Sequence, residues 1–188
     1  IEVAVAERDI DFVLTNSASY VVLEAKYGVS RIATLKNLWA DNISTTLFGA
    51  VIFTRREHTE VSTWKDLKGK TIAAVDDASF GGWLMALREF AATGLDPTRD
   101  FARIQYAGTH ESVVQAVLNG RVDVGTIRTG VLEQMARDGL IDIAKIRVIP
   151  AQLKSKEPEQ EYGFPFTHST RLYPEWPFAK LQHTNTSL

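Results

Sequence analysis

Two polar loops in the sequence carry side chains suited to binding a small anion. Each loop follows an apolar run; the first holds Thr15, Asn16 and Ser17, and the second holds Arg128 and Thr129. Hydroxyl and amide groups donate single hydrogen bonds, whereas a guanidinium binds a carboxylate, sulfonate or phosphate through two parallel ones. We therefore predict that both loops contact one small anionic solute. For the arginine, the alternative is an exposed salt bridge or one that joins two lobes.

The two loops belong to segments that share one plan. Asp11 and Asp123 stand at matching places, 112 residues apart (123 − 11), and each precedes a short apolar run, a polar loop and a helix-like segment. In open α/β sheets, ligands bind beyond the carboxyl ends of the strands. The plan thus predicts two α/β lobes whose strand ends face a shared cleft. Both aspartates lie at strand starts, away from these ends, so we interpret them as structural rather than as an acid–base pair.

A third candidate is the glycine-containing loop that precedes a helix predicted to begin near Trp83. It consists of Ser79, Phe80, Gly81 and Gly82. Free N–H groups at the start of a helix form an anion site, and glycine permits close approach of the backbone. The alternative is an ordinary turn between a strand and a helix. Phe80 either stacks on a flat ligand or covers the core.

Further polar side chains complete the predicted binding set, and each has a structural alternative. Tyr20 donates its hydroxyl to the ligand or packs beside a capped helix. Thr126 and Thr129 flank Arg128; one is expected to face the cleft and the other to cap the following helix, and Thr129 suits either role. His110 hydrogen-bonds the anion or caps its own helix.

Composition excludes several classes of function. The 188 residues are 45% apolar and carry a net charge of −2, which argues against nucleic acid or an anionic membrane as the main partner. No apolar run is long enough to span a bilayer, so we expect membrane attachment only through segments outside this chain. Cysteine is absent, and the four histidines lack metal-binding spacing. We predict no metal site, no cofactor and no catalytic residue.

The order of predicted elements indicates a discontinuous first lobe. Strands are predicted near 11–15, 30–36, 47–54, 71–75, 103–106, 122–128 and 144–149, with an extended segment over 164–172, a turn at 174–177 and a linker over 154–161. We predict that residues 1–50 and 165–188 form lobe 1 and that 51–164 form lobe 2. Hinge crossings are expected near 50–54 and 162–167, and such hinges permit closure on a ligand.

The first lobe is expected to be truncated at its N-terminus. The chain begins in a helix with no strand before it, whereas a parallel α/β unit normally starts with a strand. The last residues, 183–188, resemble the start of a helix that has been cut. A lobe without its first strand exposes a sheet edge, so a homodimer paired through that edge is one expectation.

Several runs of residues resemble a known family. Val51–Arg55 followed by Trp64–Ala73, and Gly108–Val117 followed by Asn119–Gly125, are similar to phosphate/phosphonate-type periplasmic substrate-binding proteins of ABC transporters. The run Ser169–Leu181 is closer to the periplasmic sensor modules of two-component histidine kinases, such as those that sense tetrathionate. The resemblance covers nearly the whole chain. It implies the type II periplasmic-binding-protein fold: two α/β lobes joined by two hinge strands, without catalysis.

The sequence departs from the family pattern at two places that concern the ligand. Phosphonate binders carry a Ser-Thr-Ser-Gly-like run where this chain has Ser79-Phe80-Gly81-Gly82, which keeps only one hydroxyl. Binders of aminophosphonates hold an acidic residue where this chain has Arg128. The resemblance therefore implies a ligand that lacks an amine and presents an anionic or carbonyl group to the arginine.

Together these observations predict a periplasmic sensor module that closes around a small anionic solute and signals to a histidine kinase. The first alternative is the substrate-binding component of an ABC importer for phosphonate-like or oxyanion-like solutes. A second is an enzyme on the same fold, which requires a nucleophile or base that we do not identify in the sequence. A third is the effector domain of a transcription regulator, which requires a DNA-binding segment upstream.

Overall fold

The structure, a computed structural model, describes residues 1–151 and 163–184. The helices are α1 Glu2–Ala6, α2 Ser17–Tyr27, α3 Met85–Ala92, α4 Pro97–Asp100, α5 His110–Leu118 and α6 Val131–Arg137. The strands are β1 Phe12–Leu14, β2 Ser30–Thr34, β3 Asn37–Leu38, β4 Ser44–Thr45, β5 Leu47–Phe48, β6 Ala50–Arg55, β7 Thr71–Ala74, β8 Arg103–Tyr106, β9 Val124–Arg128, β10 Ile146–Ile149, β11 Tyr173–Pro174 and β12 Pro177–Lys180. A π-helical turn, Phe80–Leu84, leads directly into α3.

Two parts of the sequence-based description lie outside the described residues. These are the predicted linker at 154–161 and most of the expected helix start at 183–188. The described residues divide between two compact units, Ile1–Phe48 with Tyr173–Leu188, and Gly49–Leu172. No helix among the described residues is both long and apolar enough to cross a membrane.

The first unit is built on a three-stranded sheet in the order β1-β12-β2, with antiparallel neighbours. Alternate side chains of β1 and β12, such as Val13 and Ala179, are buried, and they pack against Val5 of α1 and Leu23 of α2. One face of the sheet therefore forms a small core with the two helices. The opposite side of the strands includes exposed apolar side chains, among them Phe12 stacked on Phe178.

The sequence-based assignment of the return segment is wrong in two respects. Residues 164–172 were expected to be extended, yet the structure has no strand over 163–172. The turn expected at 174–177 instead includes β11 and the start of β12, which is the central strand of the first unit. Pro177 obscured this strand, because proline is poorly suited to sheets; it is tolerated here as the first residue of the strand.

The second unit contains a five-stranded sheet in the order β10-β6-β9-β7-β8. Strands β7, β8 and β9 are parallel to one another, whereas β6 and β10 run antiparallel to their neighbours. Because side chains alternate along a strand, β6 and β9 contribute to a core on each face of the sheet. Phe53 and Ile127 pack with α5 and α6, while Ile52 and Val124 pack with Trp83 and α3.

A single strand was expected over 47–54, but the structure interrupts it at Gly49, between β5 and β6. A Cβ atom at Gly49 would lie 3.1 Å from Cδ2 of Leu172 and 3.3 Å from the carbonyl oxygen of Arg171. A larger residue here would therefore press on the return segment. Beyond it, the N–H groups of Ala50 and Ile52 donate to the hydroxyls of Thr170 and Ser169, at 2.9 and 2.8 Å.

An ion pair between a buried carboxylate and a partly exposed arginine attaches the return segment to α3. The carboxylate of Glu89 is almost fully buried and accepts two hydrogen bonds from Arg171, at 2.5 Å from Nε and 3.2 Å from Nη2. Arg88 also contacts the same carboxylate at 3.2 Å, but half of the Arg88 side chain is exposed. Loss of Arg171 would leave Glu89 buried, with the half-exposed Arg88 as its remaining ion-pair partner in the described part of the chain.

We expect Arg171→Ala to lower the free energy of unfolding by about 3–5 kcal/mol, because it leaves the buried Glu89 carboxylate without its bidentate partner. The matched change Arg88→Ala should cost about 1 kcal/mol or less, since exposed ion pairs contribute little. Urea unfolding followed by circular dichroism measures both values. Equal losses in the two variants would contradict the role assigned to Arg171.

Candidate functional site

The end of β9 brings together two of the predicted binding residues. Arg128 is the last residue of this strand, and its backbone N–H donates to Nδ1 of His110 at 3.3 Å. Both residues are half-buried. His110 begins α5, but Thr109 caps that helix by accepting from the N–H of Ser112 at 3.1 Å. The interpretation of His110 as a helix cap is therefore wrong.

The imidazole of His110 has a defined hydrogen-bonding state. Burial lowers its pKa below the ordinary value; the Glu111 carboxylate opposes this shift, and the Arg128 guanidinium adds to it. Because Nδ1 accepts a hydrogen bond, the proton of the neutral ring resides on Nε2. His110 thus presents an N–H donor beside a permanently charged arginine.

Ser79 occupies the N-cap of the helix formed by the π-turn and α3. Its Oγ accepts from the N–H of Gly82 at 3.2 Å, which leaves the hydroxyl proton available for donation. A Cβ atom at Gly82 would lie 2.7 Å from that Oγ and 2.5 Å from Cγ2 of Val75. Glycine is therefore needed for this cap to form. Gly81 is buried and Phe80 half-buried, so the role of Phe80 stays a prediction.

The two threonines beside Arg128 are both buried. Thr126 lies within β9 opposite Ile52, and its Oγ1 has no hydrogen-bond partner in the described parts of the chain. Thr129 accepts from the N–H of Gly49 at 3.1 Å, and the N-cap of α6 is Gly130. The interpretation of Thr129 as a helix cap is wrong. Contact of either hydroxyl with a ligand stays a prediction.

In the first unit, Asn16 and its neighbours make hydrogen bonds that stabilise the unit. Asn16 is the N-cap of α2, and its Oδ1 accepts from the N–H of Ser19 at 3.0 Å. Ser17 donates its hydroxyl to the carbonyl of Pro174 at 2.8 Å, and Thr15 is buried at the end of β1. These three residues are adjacent at the carboxyl end of a strand, as predicted from the sequence. Their contact with a ligand stays a prediction.

Tyr20 has its hydroxyl engaged within the first unit. The hydroxyl donates to Oε1 of Glu24 at 2.6 Å and accepts from the N–H of Arg31 at 3.3 Å. Burial, followed by the Glu24 carboxylate, raises the pKa of Tyr20. This arrangement agrees with the alternative in which Tyr20 packs beside a capped helix. Donation of the hydroxyl to a ligand would require the hydrogen bond to Glu24 to break.

Two carboxylates of the second unit complete the description. Asp123 accepts from the N–H and the hydroxyl of Thr71, at 2.8 and 2.7 Å, which confirms its structural interpretation.

Glu133, at the third position of α6, was not singled out from the sequence. Burial raises its pKa, and backbone N–H groups of Glu133, Thr167 and Gly130 oppose the shift. Glu133 stands three residues after Gly130, the N-cap of α6, and this spacing is the sequence signal that could have drawn attention to it.

Comparison with known proteins places this chain in a family. The profile of the family described as "ABC transporter, phosphonate, periplasmic substrate-binding protein" matches residues 1–188. The tetrathionate sensor histidine kinase of Salmonella typhimurium (strain LT2) is 31% identical over 189 aligned residues, which cover 98% of this chain. The chain spans 30% of the length of that relative.

Solved structures show the same fold. A Xanthomonas citri protein bound to ATP matches with a TM-score of 0.70 and 16% identity, over 98% of this chain and 62% of that protein. A binding protein component of an ABC phosphonate transporter from Pseudomonas aeruginosa matches with a TM-score of 0.68 and 17% identity, over 97% and 54% of the two chains. The fold class expected from the sequence is confirmed. The chain belongs to the phosphonate-type periplasmic substrate-binding protein family.

Proposed function

We propose that this chain is an extracytoplasmic, non-catalytic module that binds a small anion and serves as the sensor domain of a histidine kinase. The family match supports binding of a solute, and the identity to a tetrathionate sensor kinase over nearly the whole chain supports the sensor role. A kinase region and a membrane anchor would lie outside these 188 residues. The same relatives support periplasmic placement, which is part of the proposal.

The observation that carries the proposal is the contact of Arg128 with His110 at the end of β9, in the unit that also holds the Ser79 helix cap. Arg128 contributes a guanidinium, neutral His110 an Nε2–H and Ser79 a hydroxyl proton at a helix N-terminus. Helix N-termini and guanidinium groups both favour oxyanions. Since Arg128 carries a positive charge, this set favours an anionic solute over one that presents an amine.

The alternative function is that of the substrate-binding component of an ABC importer. The family description, which names phosphonate transporters, favours this reading. The two functions share the same binding event, and ligand preference helps to separate them. Preference for a sulfur oxyanion such as tetrathionate favours the sensor, whereas preference for methylphosphonate favours the importer.

We expect Arg128→Ala to weaken anion binding about 10–100-fold, because a hydrogen-bonded charged partner contributes about 1.5–3 kcal/mol. A thermal-shift screen with sulfate, thiosulfate, tetrathionate, phosphate and methylphosphonate identifies the anion, and calorimetry measures its affinity. Thermal stability without the anion should be nearly unchanged.

The matched control is Arg121→Ala, which removes an exposed arginine from the turn that precedes β9. This variant should bind the anion as tightly as the wild type. If Arg128→Ala keeps wild-type affinity, the arginine does not contact the ligand and the proposed site is wrong.

The lowered pKa of His110 predicts a pH dependence of stability. Between pH 8 and the ordinary histidine pKa near 6.5, the neutral ring is present in both the folded and unfolded states. As the pH falls further, the unfolded chain binds a proton first, so the free energy of unfolding decreases until the folded pKa is reached. His110→Asn keeps an acceptor for the Arg128 N–H without titrating.

Urea unfolding of both proteins at pH 8, 7, 6 and 5 measures the difference. The wild type should lose more stability than His110→Asn below pH 6.5, while the other histidines titrate equally in both proteins. Parallel pH profiles would mean that the burial of His110 does not lower its pKa.

A further inference from the structure

The carboxyl ends of β7 and β9 lie side by side in the sheet of the second unit. The two strands are parallel neighbours, with Ala73 opposite Gly125, and neighbouring strands are about 4.8 Å apart. The loop after β7 carries Ser79, and Arg128 is the last residue of β9. The π-helical turn that follows Ser79 packs against β9. Ser79 and Arg128 therefore belong to one edge of the sheet.

The side chain of Arg128 leaves β9 on the face that this turn covers. Side chains alternate along a strand, so Val124 and Arg128, which are an even number of positions apart, share one face. Val124 packs in the same core as Trp83 of the π-helical turn, which identifies that face. His110 accepts from the backbone N–H of Arg128, so its imidazole lies at the same strand end. The proposed anion site thus combines Arg128, His110 and Ser79 around the end of β9.

The protein backbone holds the two uncharged groups of this site as hydrogen-bond donors. A hydroxyl and a neutral imidazole can each donate or accept. The N–H of Gly82 already donates to Oγ of Ser79 at 3.2 Å. The N–H of Arg128 donates in the same way to Nδ1 of His110 at 3.3 Å. The hydroxyl proton of Ser79 and the Nε2–H of His110 are therefore left to face a ligand, beside a guanidinium that can only donate.

Two exposed aspartates in the loop after β7 stand on the far side of that strand. Burial raises the pKa of Tyr106, and the carboxylates of Asp77 and Asp76 add to the shift, so both lie near its hydroxyl. Tyr106 ends β8, and β7 separates β8 from β9 in the sheet. The two carboxylates are thus directed toward β8 rather than toward β9.

Two further oxygen atoms that are close to Arg128 in the chain are covered by the protein. Oγ1 of Thr126 and Oε2 of Glu133 are both buried, so neither atom presents an acceptor surface to a ligand. Glu111 is exposed, and its charge acts on the neighbouring His110. Variants of Glu111 and of an exposed loop aspartate therefore test whether a carboxylate accepts a proton from the ligand.

We infer that the proposed anion site selects oxyanions without an acidic proton, such as sulfonates, over protonated ones such as hydrogen phosphate and monoprotonated phosphonates. An O–H group on the ligand would face donors, and it would lose its hydrogen bonds to water without gaining an acceptor. A sulfonate presents acceptors alone, so its oxygens match Arg128, His110 and Ser79. The selection rests on the proposed function and narrows the chemical class of its ligand.

Methanesulfonate and methylphosphonate form a matched pair for this test. At pH 6 both are monoanions of similar shape, and they differ by the one acidic proton that the phosphonate keeps. We expect calorimetry at pH 6 to show methanesulfonate binding at least about tenfold more tightly, because the phosphonate O–H is left without an acceptor. At pH 8.5 the phosphonate has lost this proton, and the advantage of the sulfonate should disappear. Both anions meet the same protein at each pH, so the ratio of their affinities cancels the titration of the protein.

Two variants test the exposed carboxylates as acceptors. Glu111→Gln and Asp77→Asn should each keep the preference for methanesulfonate at pH 6. Methylphosphonate binding at pH 6 as tightly as methanesulfonate, or more tightly, would overturn the inference. If either variant then weakened methylphosphonate alone, the altered carboxylate would be the acceptor. A sulfonate preference that is unchanged at pH 8.5 would also overturn the inference, since the acidic proton would not be its cause.

Failure of this inference is distinguishable from failure of the proposed function. Binding of neither methyl anion would overturn the inference alone, provided that another anion of the thermal-shift panel binds and loses affinity in Arg128→Ala. If no anion of the panel binds, or if Arg128→Ala keeps wild-type affinity, the proposed site is wrong and the inference is wrong with it.

Discussion

The second unit depends on three buried hydroxyls that accept hydrogen bonds from backbone N–H groups at the start of β6. Thr129, Thr170 and Ser169 are each 1% exposed or less, and they accept from the N–H groups of Gly49, Ala50 and Ile52. Strand β10 pairs with β6 only from Ile52 onward, so among the described residues no strand lies beside the outer edge of β6 before that point. Buried backbone N–H groups need partners, and here side chains take the place of a neighbouring strand.

This arrangement fixes the residues around it. Ser169 also donates to the carbonyl of Ile149 at 2.6 Å, so one hydroxyl joins the return segment to β6 and β10. Thr129 holds the end of β9 against Gly49, and Arg128 precedes it directly. The position of Arg128 therefore follows from packing at the start of β6, and the direction in which α6 leaves β9 follows from the left-handed Gly130.

The charge state of the candidate site follows from the same packing. Burial lowers the pKa of His110 and so favours the neutral imidazole, whose Nδ1 accepts from the backbone N–H of Arg128, while the guanidinium supplies the charge. A neutral donor beside a cation adds direction to the binding of an anion without adding repulsion between two cations. In the proposed anion site, the positive charge of Arg128 and the N–H donor of His110 therefore belong to two different side chains.

The sequence by itself determined the repeated strand–loop–helix plan, the family and most elements of the second unit. These follow from short-range patterns: alternating or continuous apolar runs, a capped helix start at the loop that contains Asn16, and glycine after helices. Capping depends on residues three positions apart, so it is readable along the chain. Arg128 and His110 were each expected to contact the ligand, but the hydrogen bond that joins them was not foreseen from the sequence.

Only the tertiary structure decided the roles of residues whose partners are distant in sequence. The partner of Thr129 is 80 residues away at Gly49, and that of Arg171 is 82 residues away at Glu89. Strand β12 also escaped prediction, because its pairing with β1 and β2 outweighs the low strand preference of its first proline. Local patterns specify which residues can form an element or a cap, whereas burial and long-range hydrogen bonds determine which of those possibilities the folded chain uses.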